Sequence, residues 1–308
     1  MADASMLVVG TRGSPLALAQ AHETQDRLVA ALGWPVERIP LSIIKTTGDA
    51  IQDRPLSEAG GKGLFTKELD IALLDGAIDL AVHSAKDLPT ALPEGIAVAG
   101  FLPREDVRDA FISHRARGLR GLPEGAVVGT ASLRRQAQVR RLRPDLAVTL
   151  LRGNVGTRLA KLDRGEVDAT LLAMAGLRRL GLTEHVTAIL DTEDFLPAVG
   201  QGAIAVTVRA GDERVEAAVA PILDRATGYA LIAERAFLSV LDGSCRTPIA
   251  GHARLRGDSL DIRGLVLRPD GSGSLEAARS GPVADAAALG REAGLEIRAR
   301  MPPDFLKA

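Results

Sequence analysis

The chain has 308 residues, of which 46% are hydrophobic and 3% aromatic, and its 38 Lys and Arg residues nearly balance 39 Asp and Glu residues. This length predicts two or three domains. The balanced charge and the few aromatic rings argue against nucleic-acid binding, and the single cysteine excludes an internal disulfide and a multi-cysteine metal site. The 5 histidines show no pair at ligand spacing, so no metal is predicted.

The N-terminal residues Met1–Gly10 lack the basic region and apolar core of a secretory signal. No apolar run approaches the length of a membrane span. A single cysteine also suits a reducing compartment. We therefore expect a cytoplasmic protein that contacts no membrane, and a monomer, because no segment offers a surplus apolar face.

The first two thirds of the chain alternate short apolar strands with amphipathic helices, a pattern typical of α/β sheets. Helices are predicted to begin near Ser14, Gly63, Ser132 and Asn154. Strands are predicted at Leu7–Val9, Leu41–Lys45, Ile78–His83, Ile96–Phe101, Val127–Gly129, Val148–Leu151, Ala169–Ala173 and Ile204–Val208. After about Asp224 the pattern changes to one helix, three short strands and a final helix, which predicts a small α+β domain.

A weak internal repeat links the two halves of the α/β region. Val9–Thr11 and the helix after it return as Val128–Thr130, and Leu74–Leu80 is echoed by Leu162–Asp168. Chance is the competing explanation, since helix-to-strand turns favour Gly and Asp. We prefer two related α/β domains that face each other across a cleft lined by strand carboxyl ends, where ligands of such sheets bind.

Arginines accompany three predicted helix starts. Arg12 precedes the predicted N-cap Ser14 and Pro15, Arg134 and Arg135 follow the predicted N-cap Ser132, and Arg152 and Arg158 flank the predicted N-cap Asn154. A helix N-terminus offers unpaired N–H groups, and a guanidinium adds a fork that matches carboxylate or phosphate. A solvated arginine beside an ordinary cap explains any one of these loops, but the three together predict a ligand with several anionic groups.

Asp87 follows an apolar strand and stands beside Lys86, a position suited to transferring a proton or stabilising a cation. The alternative role is to close a turn before Pro89. His83 ranks below Asp87 as a base. The polar stretch from Gly48 to Gly63 resembles a lid, and it lacks the spacing of a nucleotide-binding phosphate loop.

Cys245 lies in an elbow rich in glycine and serine, between Leu241 and Ile249. A thiol on a turn is accessible to a small electrophile, which makes Cys245 the first candidate for covalent chemistry. The alternative is a buried cysteine acting as a small hydrophobic residue.

These motifs together resemble the porphobilinogen deaminase (hydroxymethylbilane synthase) family. The resemblance rests on segments spread over nearly the whole chain in one order: Thr11–Ala17, Gly60–Phe65, Ala81–Pro89, Arg104–Ala110, Gly129–Gln136, Leu151–Arg158, Val199–Gly202 and Glu234–Leu238. It implies a fold of two periplasmic-binding-protein-like α/β domains around a cleft plus a small C-terminal α+β domain. The implied boundaries are 1–102 with 202–222, then 103–201, then 223–308.

The resemblance also implies a reaction and a cofactor. Four porphobilinogen units would be joined head to tail with loss of ammonia, and water would release hydroxymethylbilane. A dipyrromethane primer would be held on Cys245 through a thioether, and Asp87 would be the catalytic carboxylate. Each pyrrole carries an acetate and a propionate, so the growing chain is a polycarboxylate that suits several arginine forks.

Binding roles follow from the same resemblance. The residues expected to bind the cofactor are Ser84, Lys86, Thr130, Ser132, Arg134, Arg135, Arg158 and Gln201. Those expected to bind the substrate are Arg12, Ser14, Gln20, Lys62, Arg152 and Arg158, with Lys62 in the lid. The sequence departs from the family at Ser244, where a second glycine commonly precedes the cysteine, and at Ala19, where related chains can carry a large aromatic residue.

Two other classes of protein compete with this interpretation. A cytosolic anion-binding or sensing protein would share the arginine loops but has no use for a thiol on a turn. A cysteine-dependent hydrolase or acyltransferase would pair Cys245 with His252 or His83, and it leaves the arginine loops unexplained.

Overall fold

The computed structural model describes residues 6–50, 65–242 and 247–306. Its strands are β1 (Val9–Arg12), β2 (Leu41–Ile44), β3 (Leu80–Ser84), β4 (Ile96–Phe101), β5 (Asp109–Ser113), β6 (Val127–Gly129), β7 (Ala147–Thr149), β8 (Ala169–Ala173), β9 (Ala188–Ile189), β10 (Ile204–Arg209), β11 (Ile249–Arg256), β12 (Ser259–Leu267) and β13 (Ser274–Pro282). Its helices are α1 (Pro15–Leu32), α2 (Thr47–Ala50), α3 (Lys67–Leu74), α4 (Leu133–Leu142), α5 (Val155–Asp163), α6 (Met174–Arg179), α7 (Glu213–Val219), α8 (Arg225–Val240) and α9 (Ala286–Arg300).

Within these described ranges the strands form two five-stranded sheets and one three-stranded sheet. The first sheet has the order β2-β1-β3-β10-β4, and the second has the order β7-β6-β8-β5-β9. In each, the second strand runs parallel to the first and third, and the fourth is antiparallel to both of its neighbours. The two sheets therefore share one design, and the predicted class of two binding-protein-like α/β parts with a small α+β part is confirmed.

The sequence repeat corresponds to one contact made in both sheets. The Asp79 carboxylate accepts a hydrogen bond from the Val8 N–H at 2.7 Å, and the Asp168 carboxylate accepts one from the Val127 N–H at 2.7 Å. Glycine recurs beside them because neighbouring side chains fill the space that a Cβ would take: a Cβ on Gly10 would lie 2.3 Å from the Ile78 side chain, and one on Gly129 would lie 2.9 Å from the Val167 side chain. Matching contacts of this kind favour a common design over chance.

Contact density divides the chain into two compact units. The first contains the described residues of Met1–Ile51, Ala59–Glu105 and Ala203–Gly228, and so holds the first sheet. The second contains those of Asp106–Gly202 and Tyr229–Ala308, and so holds the other two sheets. Within the first unit, β3 is buried on both faces from Leu80 to His83, as expected for a strand covered by helices on both sides.

The C-terminal part is an antiparallel meander in the order β11-β12-β13, with α9 packed against β12 and β13. It confirms the predicted sequence of one helix, three strands and a final helix, although the strands are longer than expected. Phe237 of α8 fills the space left by two glycines, since a Cβ on Gly264 would lie 2.3 Å from its ring and one on Gly251 would lie 3.3 Å from it. None of the helices in the described ranges is both long and apolar enough to cross a membrane.

Two hairpin turns of this meander provide a stability test. Gly257 and Gly271 both have positive φ, at 61° and 79°. A Cβ on Gly257 meets nothing within 4 Å, whereas one on Gly271 would lie 2.7 Å from the Arg141 backbone nitrogen in α4. We expect Gly257→Ala to lower the free energy of unfolding by about 1 kcal/mol through backbone strain alone, and Gly271→Ala to lower it by about 2–4 kcal/mol, because overpacking adds to that strain. Urea unfolding measures both changes, and equal losses would contradict the close packing of this turn on α4.

Candidate active site

The first sheet brings two predicted site loops to one edge. β1 and β3 are adjacent and parallel, with Val9 opposite Leu80 and Gly10 opposite Ala81. The loops after Arg12 and Ser84 therefore leave the sheet at the same carboxyl edge. This edge carries the predicted residues of the first unit that the structure describes.

Arg12 ends β1 and lies over the ring of Phe65, with 4.2 Å between the guanidinium carbon and the ring centroid. The ring orients the cation without neutralising its charge. Ser14 caps α1, its hydroxyl accepting from the Ala17 N–H at 3.3 Å, with Pro15 as the first helical residue. The predicted cap is confirmed, and sequence reasoning missed the stacking because Phe65 is far from Arg12 in the chain.

Gln20 is buried in α1 and bonds to Ser84. The distances are 3.0 Å from its Nε2 and 3.1 Å from its Oε1 to the Ser84 hydroxyl oxygen. This pairing fixes the side chain of Ser84 at the end of β3. Gln20, which the resemblance assigns to substrate binding, therefore bonds to Ser84, a residue expected to bind the cofactor.

Lys86 and Asp87 lie in a single turn of 3-10 helix, Ala85–Asp87, directly after β3. The turn is held by the Ala85 N–H, which donates to the Ala203 carbonyl at 3.0 Å, and by the Leu88 N–H, which donates to the Ala85 carbonyl at 3.3 Å. Both side chains are exposed. A carboxylate and an ammonium group are therefore displayed together on a turn whose backbone is fixed.

His83 faces the interior. Its Nε2 lies 3.0 Å from the Thr207 hydroxyl, and burial lowers the pKa of His83 to about 4, with the charge of Arg12 acting in the same direction. The imidazole is therefore neutral near pH 7 and away from solvent. This placement counts against His83 as the base of a cysteine hydrolase.

His83 should make stability depend on pH. The unfolded chain binds a proton near the ordinary pKa of 6.5 and the folded protein only near 4, so the free energy of unfolding falls as pH drops through this window, by about 3 kcal/mol in total. Urea unfolding at pH 7.0 and pH 4.5 measures this loss. His83→Gln, which keeps a partner for Thr207, should lose less stability over the same range. Equal losses in both proteins would contradict a buried neutral His83.

The second sheet positions another set of predicted residues at the carboxyl ends of β6 and β7. Thr130 follows β6 and is buried, and its hydroxyl accepts from the Ser132 N–H at 3.1 Å. Ser132 caps α4 by accepting from the Arg135 N–H at 3.4 Å. In the same way, Asn154 caps α5 by accepting from the Thr157 N–H at 2.8 Å. All three predicted helix caps are thereby confirmed.

Arg134 and Arg135 are buried and share one carboxylate, that of Asp109. Arg134 Nη1 ion-pairs with it at 2.8 Å, and Arg135 binds it through Nη2 at 2.7 Å and Nε at 3.1 Å. The arginines also donate to backbone carbonyls, Arg134 to Leu196 at 2.7 Å and Arg135 to Leu171 at 2.9 Å. These two cations are thus part of a built interior site rather than a solvated surface.

Gln201 belongs to the same network. It is buried, and its Nε2 donates to Asp109 at 2.9 Å and to the Val107 carbonyl at 2.7 Å. Sequence reasoning placed Gln201 and the two arginines at the cofactor but missed Asp109, which holds them together. The available signal was a carboxylate directly before the apolar run Ala110–Ile112.

Arg152 and Arg158 lie beside the start of α5. Arg158 Nε donates to the Gly153 carbonyl at 2.8 Å. Arg152 Nη1 and Arg134 Nε are both buried, and no described residue accepts a hydrogen bond from either atom. Buried cationic donors without acceptors suit carboxylate ligands, so this donor set fits a polycarboxylate group such as two linked pyrroles with acidic side chains. Lys62 and Cys245 lie outside the described residues.

Comparison with known proteins identifies relatives of the whole chain. A model of the porphobilinogen deaminase dipyromethane cofactor binding domain matches residues 7–217, and a model of the porphobilinogen deaminase C-terminal domain matches residues 229–299. Curated proteins named porphobilinogen deaminase from Nitrobacter hamburgensis and Nitrobacter winogradskyi are each 61% identical to the chain over 300 residues. These alignments cover 97% of this chain and 95% of each relative.

Solved structures give a much weaker similarity. A periplasmic substrate-binding protein of an ABC transporter from Coxiella burnetii is 15% identical, with a TM-score of 0.43, and the match covers 70% of this chain and 91% of that chain. A similarity this low supports no conclusion about the ligand. The fold assignment rests instead on the strand order of the sheets.

Proposed function

The chain belongs to the porphobilinogen deaminase family. We propose which of its residues attach the cofactor, bind the substrate and assist the reaction. The activity is that of a hydroxymethylbilane synthase, a transferase that joins porphobilinogen units with loss of ammonia. Its cofactor is dipyrromethane. The alternative of an anion-binding or sensing protein is not favoured.

We propose that Cys245 carries the cofactor through a thioether. The bound group supplies the pyrrole on which the product chain grows. Support comes from the sequence: Cys245 is the only thiol, and the small residues around it predict an elbow on which a thiolate would be accessible to an electrophile.

Asp87 is the proposed catalytic carboxylate. Support comes from comparing the segments that follow equivalent strands in the two five-stranded sheets. The turn after β3 and the turn after β8 are equivalent, because Ala85 N–H donates to the Ala203 carbonyl and Met174 N–H donates to the Arg108 carbonyl, each at 3.0 Å. The first turn displays Lys86 and Asp87, whereas the second is buried and apolar from Met174 to Leu177. The fold alone does not require a carboxylate here, which favours a chemical role for Asp87.

In the proposed role, Asp87 assists the departure of ammonia from the substrate and then stabilises the cation that remains. The Asp87 carboxylate would accept a hydrogen bond from the protonated amine of the substrate. The C–N bond then breaks with its electron pair on nitrogen, ammonia leaves, and the positive charge stays on the pyrrole methylene beside Asp87. Lys86, fixed on the same turn, supplies a cation for a pyrrole carboxylate. Ser84, oriented by Gln20, supplies a hydroxyl beside it.

The arginine loops are proposed to bind the acidic side chains of the pyrroles. Arg134, Arg135 and Arg158, with Thr130, Ser132 and Gln201, would hold the cofactor. Arg12, Ser14, Gln20, Lys62, Arg152 and Arg158 would hold the substrate and the growing chain, and water would release the product. Support comes from the buried donors of Arg134 and Arg152, which lack acceptors among the described residues.

The wider setting is also a proposal. We propose a cytoplasmic monomer that binds neither nucleic acid nor membrane, supported by the balanced charge and the single cysteine. We also propose three domains, 1–102 with 202–222, 103–201 and 223–308, since the described strands form three separate sheets, one for each proposed domain. Light scattering coupled to gel filtration tests the monomer, and a dimer mass would contradict it.

Arg134→Leu tests the binding assignment. We expect a folded protein that assembles its cofactor at least about tenfold less completely, because a charge-assisted pair inside a buried site is lost. The readout is the fraction of protein whose intact mass, measured under denaturing conditions, exceeds that of the chain by two linked pyrrole units.

Arg141→Leu is the matched control, since Arg141 is exposed near the other end of the same helix. It should load like the parent protein. Full loading of the Arg134→Leu protein would place Arg134 outside the cofactor site.

A further inference from the structure

Asp109 is the most deeply buried carboxylate of the candidate site, with 0% of its surface exposed. It opens β5, and three side chains from two other segments converge on it: Arg134 and Arg135 from α4, and Gln201 from the segment before β10. The donor atoms lie between 2.7 and 3.1 Å from its oxygens. Every one of these partners is a residue that we propose for the cofactor site.

The charges in this cluster do not cancel. Burial alone would raise the pKa of Asp109, but the guanidinium groups of Arg134 and Arg135 hold it well below its ordinary range, so the carboxylate stays ionised at neutral pH. Two buried cations therefore face one buried anion. Among the described residues, Arg134 Nε is a buried donor without an acceptor, and Asp109 Oδ2 and Gln201 Oε1 are buried oxygens that accept no hydrogen bond. The cluster is thus one anion short, which suits a site that receives a carboxylate.

The fold does not demand a carboxylate at this place. β5 in the second sheet and β10 in the first occupy the same position, since Asp109 pairs with Ala173 at the end of β8 and Ile204 pairs with Ser84 at the end of β3. Ile204 is fully buried and apolar. Burying a charge where an isoleucine suits the same position is costly unless the charge serves its partners. The contacts of Asp109 with the two arginines and Gln201 therefore account for a buried carboxylate at this position.

We infer that Asp109 is a positioning residue for cofactor assembly: it fixes Arg134, Arg135 and Gln201 in place and offsets one of the two positive charges. The remaining charge and the free donor of Arg134 are then preorganised for one cofactor carboxylate. This inference rests on the proposed role of Arg134 at the cofactor. It adds a residue that acts only through others, since its Oδ1 accepts hydrogen bonds from Arg135 and Gln201 and its Oδ2 forms an ion pair with Arg134.

Two substitutions separate charge from position. Asp109→Asn keeps the shape and removes the charge. Asp109→Glu keeps the buried ion pairs, and with them the fold, but displaces the carboxylate by one methylene. The full-length chain is prepared without cofactor in cells that make no porphobilinogen, and assembly is followed by intact mass after porphobilinogen is added. We expect each folded variant to assemble the cofactor at least about tenfold more slowly than the parent.

Asp168→Asn is the matched control. Asp168 directly precedes β8 of the same sheet, accepts from the Val127 N–H and pairs with Arg115 rather than with the cofactor arginines. Its loss should lower the melting temperature but leave the assembly rate within twofold of the parent when both proteins are fully folded. A defect of equal size in Asp168→Asn would mean that lost stability explains the effect, and it would overturn the inference.

The experiment distinguishes failure of the Asp109 inference from failure of the proposed cofactor site. If Arg134→Leu loads normally, the proposed cofactor site is wrong. If Arg134→Leu fails to load while folded Asp109→Glu assembles within twofold of the parent, the cofactor site stands and the positioning role of Asp109 is overturned. The inference is supported if Arg134→Leu and folded Asp109→Glu both assemble the cofactor slowly while Asp168→Asn assembles it at the normal rate.

Discussion

Alanine in place of Asp87 is expected to slow turnover at least about 10²-fold while leaving a folded protein with its cofactor attached. General acid–base assistance commonly contributes 10²–10⁴-fold, and a charge placed against a developing cation contributes on a similar scale. Asp87 is exposed on its turn, so its removal opens no cavity and leaves no buried partner. The effect should therefore appear in the rate constant and not in stability.

Single-turnover release of ammonia from porphobilinogen measures the step that Asp87 is proposed to assist. Asp87→Asn keeps the shape and should be as slow as the alanine variant. Asp75→Ala is the control, since Asp75 is an exposed aspartate at the end of α3 in the same unit. Near-normal release by the Asp87 variants would move the catalytic role to another residue.

Serine in place of Cys245 is expected to abolish covalent attachment of the cofactor and, with it, all turnover. A thiol ionises near pH 8.5, whereas a serine hydroxyl stays protonated in water and is a far weaker nucleophile. The substitution changes one atom, so the fold should persist. Intact mass under denaturing conditions, followed by peptide mapping around residue 245, gives a direct readout.

Ser244→Ala is the matched variant one residue earlier and should carry the normal mass excess on the Cys245 peptide. A stable excess of two pyrrole units on the Cys245→Ser protein would refute the attachment role. If the parent protein itself shows no mass excess, porphobilinogen is added and the mass is measured again. If the excess still fails to appear, the proposed attachment is wrong.

Local features of the fold were predictable where one residue type has one physical role. The strands Ile96–Phe101, Val127–Gly129 and Ala169–Ala173 match the prediction at both ends. Each is a short apolar run with glycine or aspartate at one end, namely Gly95, Gly129 and Asp168. The caps Ser14, Ser132 and Asn154 were predictable for a similar reason, since a side-chain oxygen before a helical pattern satisfies the helix's first N–H groups.

Features that depend on distant partners were not predictable in this way. β5 begins with Asp109 after a run of charged residues, so it reads as a polar loop until the two arginines of α4 are seen to bind that carboxylate. β9 has only two residues, too few for a pattern. The stacking of Arg12 on Phe65 and the pairing of Gln20 with Ser84 likewise join residues with no common spacing. The family resemblance pointed to several of these residues but not to their protein partners.

The place of β10 in the first sheet has a consequence for how the chain matures on the ribosome. β10 lies between β3 and β4. Among the described strands of that sheet, β4 therefore has no neighbour to pair with until β10 has been synthesised. All of the second sheet is synthesised between β4 and β10. The edges of β3 and β4 that pair with β10 therefore stay unpaired while residues 102–203 are synthesised. This delay slows closure of the sheet and leaves those edges open to aggregation or to chaperones. The first residues to be made thus belong to a sheet that closes only after the second sheet's strands have been synthesised.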